Sequence, residues 1–149
     1  MRPQDVLDRV EALLPALRER AQVTEDARRV PTASVAELRA AGFFDLLQPK
    51  RFGGMEADPI HHFTAVRAIA SACGSTGWVA SVLGAHQWHL AQFDPRAQDD
   101  VWGADRTTVL SSAYAPPGRA TETEGAISST AGGASPRGWT TRVARSWAA

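Results

Sequence analysis

Apolar residues recur at three- and four-residue spacing along most of the N-terminal two thirds of the chain. The first segment has six such positions with charged residues between them: Val6, Leu7, Val10, Leu13, Leu14 and Leu17. A stripe of this kind predicts an amphipathic helix with one face to bury. Pro15 lies within the stripe and predicts a kink or a break there.

Start and stop signals divide the rest of this region into further helices. Ser34 and Glu37 have the spacing of a capping box, and Gly42 is placed to end the helix that follows them. Asp58 and Asp94 each precede a proline, a pairing typical of an N-cap and a first helical position. The predicted helices cover residues 4–24, 33–41, 59–73, 75–93 and 95–102.

The third and fourth predicted helices differ in their apolar pattern. The third has one predicted buried stripe: Phe63, Val66, Ile69, Ala70 and Cys73. The adjacent His61 and His62 point to different faces, so we expect surface histidines. The fourth is apolar nearly all round, which predicts a helix in the middle of a bundle or at a subunit contact.

The pattern changes after residue 106. The stretch "TTVLSSAYAP" is rich in β-branched and small residues, has no helical stripe and ends at a Pro-Pro-Gly sequence. It predicts a short strand over residues 107–114. We therefore expect a mostly α fold, with five helices followed by one strand that has no sheet to join.

Composition restricts the class of protein further. The 149 residues are 44% hydrophobic, with 16 basic and 16 acidic side chains. This balance gives no electrostatic reason to expect nucleic acid as a partner, and no apolar run is long enough to span a membrane. Charges interrupt the N-terminal segment, which argues against a signal peptide. Cys73 is the only cysteine, which favours a reducing compartment, so we expect a cytoplasmic protein.

His86 and His89 are the candidate reactive residues of the fourth helix, and three interpretations stay open. An i, i+3 pair can ligate a metal, but no other ligand is positioned in sequence to complete a site, so we expect none. One histidine can instead lie in the core and the other at the surface. The third interpretation is an acid–base histidine beside an aromatic substrate.

The other candidates have ordinary explanations. Trp78 and Trp88 have the residue type of core or interface positions. Ser112 and Tyr114 are polar groups on the predicted strand, and no base lies near them in sequence. From the residues alone, the chain is a helical domain with an incomplete β appendage.

Three stretches together resemble one family. They are "GFFDLLQPKRFGG", "ASACGSTGWVASVLGAHQWHLAQFDPRAQDDVWG" and "SSAYAPPG". They are similar to the N-terminal region of acyl-CoA dehydrogenase-like flavin-dependent monooxygenases, on the branch that hydroxylates secosteroid phenols in steroid-ring degradation. The resemblance implies an N-terminal helical domain over residues 1–105 and the start of a middle β domain over 106–125.

The same resemblance implies an activity. Such oxygenase components take reduced FMN or FAD from a separate flavin reductase, react it with O2 and hydroxylate a phenol ortho to its hydroxyl group. The family also implies a homotetramer. The protein supplies orientation, dryness and proton control for chemistry that belongs to the flavin.

Site residues follow from the resemblance by position. His86 in "GAHQW" matches a histidine near the flavin and the phenol, where it could accept the phenol proton. Five further residues are implied in the two pockets: Ser112, Tyr114 and Trp78 for the flavin, and Trp88 and His89 for the substrate.

The chain departs from the family after Gly125. Residues 126–149 contain no Leu, Phe, Met, Asp, Glu or Lys. Read one base earlier, their codons permit "LVNGRWxFSSGxDHA", similar to the segment with which the family continues. The junction of Trp139 and Thr140 must then encode Asp, because tryptophan has a single codon. We therefore expect residues 126–149 to be a frameshifted, non-native tail that is disordered and has no evolved fold.

Two alternatives to the hydroxylase remain. A fragment of an acyl-CoA dehydrogenase would need a catalytic carboxylate from a C-terminal domain, and the strand "SSAYAP" lacks that family's Thr-Glu-Pro. The other alternative is a non-catalytic helical domain that associates with itself or with intact subunits. As a fragment of the hydroxylase or as either alternative, we expect the 149-residue chain alone to be inactive.

The frameshift hypothesis is tested by the nucleotide sequence around codons 124–126. We expect a single-base change there to restore a long open frame that begins with the family segment. An early stop codon in the shifted frame, or the absence of its Trp and Ser-Ser-Gly codons, would refute the hypothesis.

Overall fold

The structure, a computed structural model, describes residues 1–112, 118–123, 126–131 and 143–144. The helices among these residues are α1 (Pro3–Glu19), α2 (Ala21–Asp26), α3 (Thr32–Ala40), α4 (Pro59–Ala72), α5 (Gly74–Ala91) and α6 (Pro95–Trp102). Two short 3₁₀ turns, Phe43–Asp45 and Lys50–Phe52, lie in the connector between α3 and α4. The mostly α fold is confirmed, and α5 runs unbroken through His86.

The described strands form two antiparallel pairs. Strand β1 (Val109–Leu110) pairs with β4 (Val143–Ala144), and β2 (Gly118–Thr123) pairs with β3 (Ala126–Ala131). The sequence predicted one strand, over 107–114, with no sheet to join. The strand β1 is shorter than that and pairs with β4, so this expectation is wrong, and the other strands were missed.

The β2–β3 pair has a local explanation. Only Glu124 and Gly125 separate the two strands in the sequence, and a two-residue connection is the commonest one between hairpin strands. Strands β3 and β4 lie in the segment that the sequence analysis assigned to a non-native tail. The frameshift origin of residues 126–149 and their lack of an evolved fold both stay predictions.

The predicted helix over 4–24 is two helices. Pro15 is accommodated inside α1, and the chain breaks instead at Arg20, between α1 and α2. The Arg20 guanidinium reaches α3, where it donates to Ser34 Oγ at 3.2 Å and to both Glu37 carboxylate oxygens at 2.7 and 2.8 Å. The predicted capping box is therefore wrong, because Ser34 and Glu37 bind Arg20 while Pro31 stands at the N-cap of α3.

The other boundary signals are confirmed. Asp58 and Asp94 each accept a hydrogen bond from the backbone N–H two residues ahead, at 2.9 and 2.8 Å. Gly42 follows α3 with φ of 85°, a conformation that glycine adopts without steric cost. These devices fix where α3, α4 and α6 begin or end.

The main core lies where α1, α3, the first 3₁₀ turn, α4 and α5 meet. Its most deeply buried side chains include Val6, Leu17, Phe43, Leu46 and Ile69. A smaller cluster of Phe52, Leu90 and Trp102 joins the second 3₁₀ turn to α5 and α6. Helix α5 contacts α2, α4, α6 and β1, as expected for a helix in the middle of a bundle.

Two glycines let α5 approach α4 closely. A Cβ atom at Gly77 would lie 2.6 Å from Ala70 Cα, and one at Gly84 would lie 2.4 Å from His62 Cε1. Both distances are far below van der Waals contact. The absence of side chains at these two positions is therefore a condition of the packing.

His62 is fully buried, so the expectation of a surface histidine is wrong for it, while His61 is half-buried. The buried face of α4 consists of His62, Ala65, Ile69 and Ala72. Phe63, predicted to be buried, is 61% exposed. The predicted stripe is confirmed at Ile69 and Cys73, which are buried, and wrong at Phe63 and Ala70, which are exposed. It missed His62 because Gly84 offers space for an imidazole ring at position 62.

The His62 ring lies in an apolar environment. Its centroid is 5.3 Å from those of Phe43 and Phe63. Neither ring nitrogen has a hydrogen-bond partner among the described residues. Burial lowers the pKa of His62 from 6.5 to about 4, and the nearby Ser81 backbone offsets this only partly because it lacks hydrogen-bond geometry.

We expect His62 to make the domain sensitive to acid. Below pH 6.5 the unfolded chain binds a proton that the folded chain takes up only near pH 4, so stability present above pH 6.5 is lost as the pH falls. The loss approaches about 3 kcal/mol at 1.36 kcal/mol per pKa unit. Urea unfolding at pH 7 and pH 4 should show a smaller difference in His62→Phe than in the wild type. His61→Phe is the control, and equal pH dependence in both variants would contradict the assignment.

Candidate functional site

His86 lies on α5 with its side chain 5% exposed. Its Nδ1 is 2.6 Å from the carbonyl oxygen of Val82, one turn earlier on the same helix. Because a carbonyl can only accept, Nδ1 carries the proton and donates it. The orientation of the ring is thus fixed by the helix that carries it.

The other ring nitrogen contacts the segment that follows β1. His86 Nε2 is 2.6 Å from Ser112 Oγ, although the two residues are 26 positions apart in the chain. In the neutral ring Nε2 has a lone pair and accepts the Ser112 hydroxyl proton; in the charged ring the direction is reversed. The contact therefore joins the helical domain to the β region through a bond that can carry a proton either way.

The pair is suited to taking a proton from a bound hydroxyl group. Ser112 is half-buried, so its hydroxyl can reach both His86 and a ligand. A ligand O–H that donates to Ser112 Oγ could lose its proton to Ser112 while the Ser112 hydroxyl proton moves to His86 Nε2. Since Nδ1 binds a backbone carbonyl rather than a carboxylate, the arrangement differs from a serine hydrolase triad.

His89 lies beside His86, with ring centroids 5.3 Å apart and planes at 84°. It is half-buried, and burial together with the nearby His86 lowers its pKa. A charged His86 would therefore favour the neutral form of His89. The structure brings His86, His89 and Ser112 together.

The two tryptophans assigned to the pockets are also on α5. Trp88 contacts the His89 ring but lines a groove of about 440 Å³ between α5, α6 and the connector before α4, and neither His86 nor Ser112 lines that groove. Trp78 is on the surface of α5 and 71% exposed. Tyr114 lies outside the described residues. The pocket roles of these three residues stay predictions.

Sequence reasoning missed three side chains that bind the backbone just before β1. Gln48, Arg39 and Trp102 donate to the carbonyl oxygens of residues 106, 107 and 108, respectively. Trp102 could be recognised as a core residue from its type. A lone glutamine or arginine in a helical sequence carries no signal that distinguishes a backbone donor from a surface residue.

No group of three or more His, Cys, Asp or Glu side chains in the described part of the chain could hold a metal ion. Among the same residues, no helix has the length and apolar character needed to cross a membrane.

The helical architecture defines the class of protein. The family described as acyl-CoA dehydrogenase, N-terminal domain, matches residues 5–103, and the chain belongs to this family.

Individual relatives narrow the comparison to oxygenases. The chain is 59% identical over 112 residues to the flavin-dependent monooxygenase, oxygenase subunit HsaA, of Rhodococcus jostii (strain RHA1), covering 75% of this chain and 29% of that protein. It is 42% identical over 111 residues to the FADH(2)-dependent resorcinol hydroxylase, oxygenase component, of Rhizobium sp. (strain MTP-10005), covering 74% and 27%.

A solved structure agrees with these relatives. The crystal structure of the HsaA monooxygenase from M. tuberculosis matches with a TM-score of 0.84 at 50% identity, covering 87% of this chain and 35% of that one. These findings confirm the resemblance to flavin-dependent monooxygenases. The chain spans about 30% of the length of the curated relatives it matches.

We expect Ser112→Ala to change the environment of His86 Nε2 without changing that of Nδ1. The substitution removes the contact between Nε2 and Ser112 Oγ and leaves the bond to Val82. Nitrogen-15 NMR of the histidine side chains should show the Nε2 resonance displaced and the Nδ1–H tautomer retained. Ser81→Ala, which removes a hydroxyl bound to the backbone of α5, is the control. An unmoved Nε2 resonance in Ser112→Ala would contradict the contact.

Proposed function

We propose that this chain is the N-terminal part of the oxygenase component of a two-component flavin-dependent phenol hydroxylase. The observation that carries the proposal is the contact between His86 Nε2 and Ser112 Oγ, which forms a proton acceptor where the helical domain meets the first strand. The relatives that are oxygenase components, one of them acting on the phenol resorcinol, support the same reaction class.

The chemistry of the pair supports a neutral phenol as ligand, because it offers hydroxyl and imidazole groups without a carboxylate. Ser112, Tyr114 and Trp78 are the residues proposed to hold a reduced flavin. When bound, the flavin would supply the activation of O2, with one oxygen atom going to the ring and the other leaving as water. The cofactor is FMN or FAD, supplied by a separate reductase.

The contribution of the chain itself is control of one proton. The phenol hydroxyl donates to Ser112 Oγ, whose own proton moves to His86 Nε2. The ring gains electron density as its hydroxyl proton leaves, which makes the ortho carbon a better nucleophile. His86 can hold the proton because its Nδ1 is already bound to a neutral carbonyl. General-base assistance of this kind contributes about 10²- to 10⁴-fold.

Association with further protein surface is part of the proposal. Phe63, Trp78 and Phe93 are each more than 60% exposed, so each leaves apolar surface that contact with another subunit would cover. The resemblance of the sequence to a tetrameric family supports contacts between subunits. The same resemblance favours a secosteroid phenol as the substrate.

The function can be tested in a chimera in which residues 1–112 replace the matching segment of the Rhodococcus jostii subunit. With reduced flavin, O2 and a phenol, we expect hydroxylation, and we expect His86→Ala to lower kcat about 100-fold with little change in flavin affinity. The defect should shrink near pH 10, where a phenol ionises without a base.

His61→Ala, a half-buried histidine on α4, is the matched control for the chimera and should hydroxylate at the parent rate. Wild-type kcat in His86→Ala would remove His86 from the proton pathway. A defect that stays the same at every pH would show that His86 acts in some way other than as a base.

A further inference from the structure

We propose that Arg39, Gln48 and Trp102 form a backbone clamp that sets the position of Ser112 relative to His86. They are positioning residues, since they act through the backbone and do not touch the pair itself. The inference about proton transfer rests on the proposed function, whereas the effect on the His86–Ser112 contact does not.

The clamp binds three consecutive carbonyl groups. Gln48 Nε2 donates to Arg106 O at 2.7 Å, Arg39 Nη1 donates to Thr107 O, and Trp102 Nε1 donates to Thr108 O at 3.2 Å. The three donors come from α3, from the connector before α4 and from α6. The strand that leaves the helical domain is therefore tied to three separate elements of that domain.

The clamped segment is also held by hydrogen bonds between its own residues. The Asp105 carboxylate accepts from the Thr107 backbone N–H at 2.9 Å and from the Thr107 hydroxyl at 2.7 Å. Residues 105–107 are exposed, and an exposed connector of this kind normally moves more than the elements it joins. Side-chain donors to its carbonyls restrict that motion.

Two of the clamp side chains are buried. Gln48 is 3% exposed and Trp102 is fully buried against Phe52, with ring centroids 5.0 Å apart. A buried donor that loses its acceptor has no water to bind instead, so displacement of the segment is opposed by the helical domain. Arg39 is half-buried and stacks over Phe44 at 5.6 Å, which also limits its freedom.

The effect reaches Ser112 along a short extended segment. Thr108 and Val109 are buried, and Ser112 follows four residues after Thr108. His86 is fixed independently by Val82 on α5. The 2.6 Å contact therefore depends on the clamp for one partner and on α5 for the other. A misplacement of about 1 Å can reduce the rate of a positioned reaction 10²-fold.

The experiment compares donor-deleting variants by nitrogen-15 NMR of His86 in the full chain. Gln48→Met removes the amide donor at nearly constant volume, and Arg39→Met removes the guanidinium. We expect both to displace the His86 Nε2 resonance in the direction that Ser112→Ala displaces it, with Nδ1 unchanged. Arg39→Lys, which keeps a donor, should restore part of the wild-type position.

Gln98→Met is the matched control. Gln98 is also buried and donates to two backbone carbonyls outside the clamped segment, those of Ala91 at the end of α5 and of Phe93 in the connector to α6. Loss of a buried amide donor as such would therefore affect Gln48→Met and Gln98→Met alike. Loss of the clamp should move the His86 resonance only in Gln48→Met.

A wild-type Nε2 resonance in folded Arg39→Met and Gln48→Met would overturn the proposal, and so would an equal displacement in Gln98→Met. If Gln48→Met does not fold, Arg39→Met with its Arg39→Lys rescue decides. In the chimera, the clamp variants should lower kcat more than they raise KM for the phenol. If the resonance moves but His86→Ala leaves hydroxylation unchanged, the proposed function fails while the clamp stands.

Discussion

The close approach of α4 and α5 is the constraint on which the rest of the structure depends. It requires hydrogen atoms in place of side chains at Gly77 and Gly84, because a Cβ at either position would overlap Ala70 or His62. With α5 held in this way, its buried and half-buried faces are assigned, and His86 is directed towards the strand rather than towards α4. The proton-accepting pair thus follows from the packing of two helices that contribute only one of its members.

Ser112, the other member of the pair, is positioned in a different way from His86. Helix α5 is regular, and the orientation of His86 follows from one turn of helix and one carbonyl. Ser112 lies after a two-residue strand, β1, which is too short to fix its own position by pairing. Side-chain donors from the helical domain supply that order at residues 106–108. The 2.6 Å contact therefore joins a residue positioned by its own helix, His86, to a residue positioned by long-range hydrogen bonds, Ser112.

Much of the fold could be predicted because its signals are local. Asp58 and Asp94, each followed by a proline, cap the N-termini of α4 and α6, and Gly42 follows the end of α3 with a positive φ. Where a residue interacts with a distant segment, the local signal misled. Ser34 resembles an N-cap, but Arg20 recruits it across the gap between two helices. His62 resembles a surface histidine, but a glycine more than twenty positions away gives it space in the core.

The candidate site divides in the same way. Spacing alone left His86 and His89 with three interpretations, and no pattern linked either of them to Ser112. The resemblance to a family named all three, and the fold brings them together. It also named Trp78 and Trp88, which are on α5 as well, and their pocket roles stay predictions. The predicted frameshift origin of residues 126–149 is inferred from the codons their sequence permits, and the packing of the protein does not test it.

The contact between Gly84 and His62 has a consequence for how the sequence can change over time. Position 84 cannot gain even a methyl group while an imidazole occupies position 62, and a smaller residue at 62 alone would leave a void beside Phe43. Each single step away from this pair is therefore costly in either order, although a simultaneous exchange need not be. Substitutions at positions 62 and 84 therefore depend on each other. A sequence that changes them one at a time passes through a less stable intermediate.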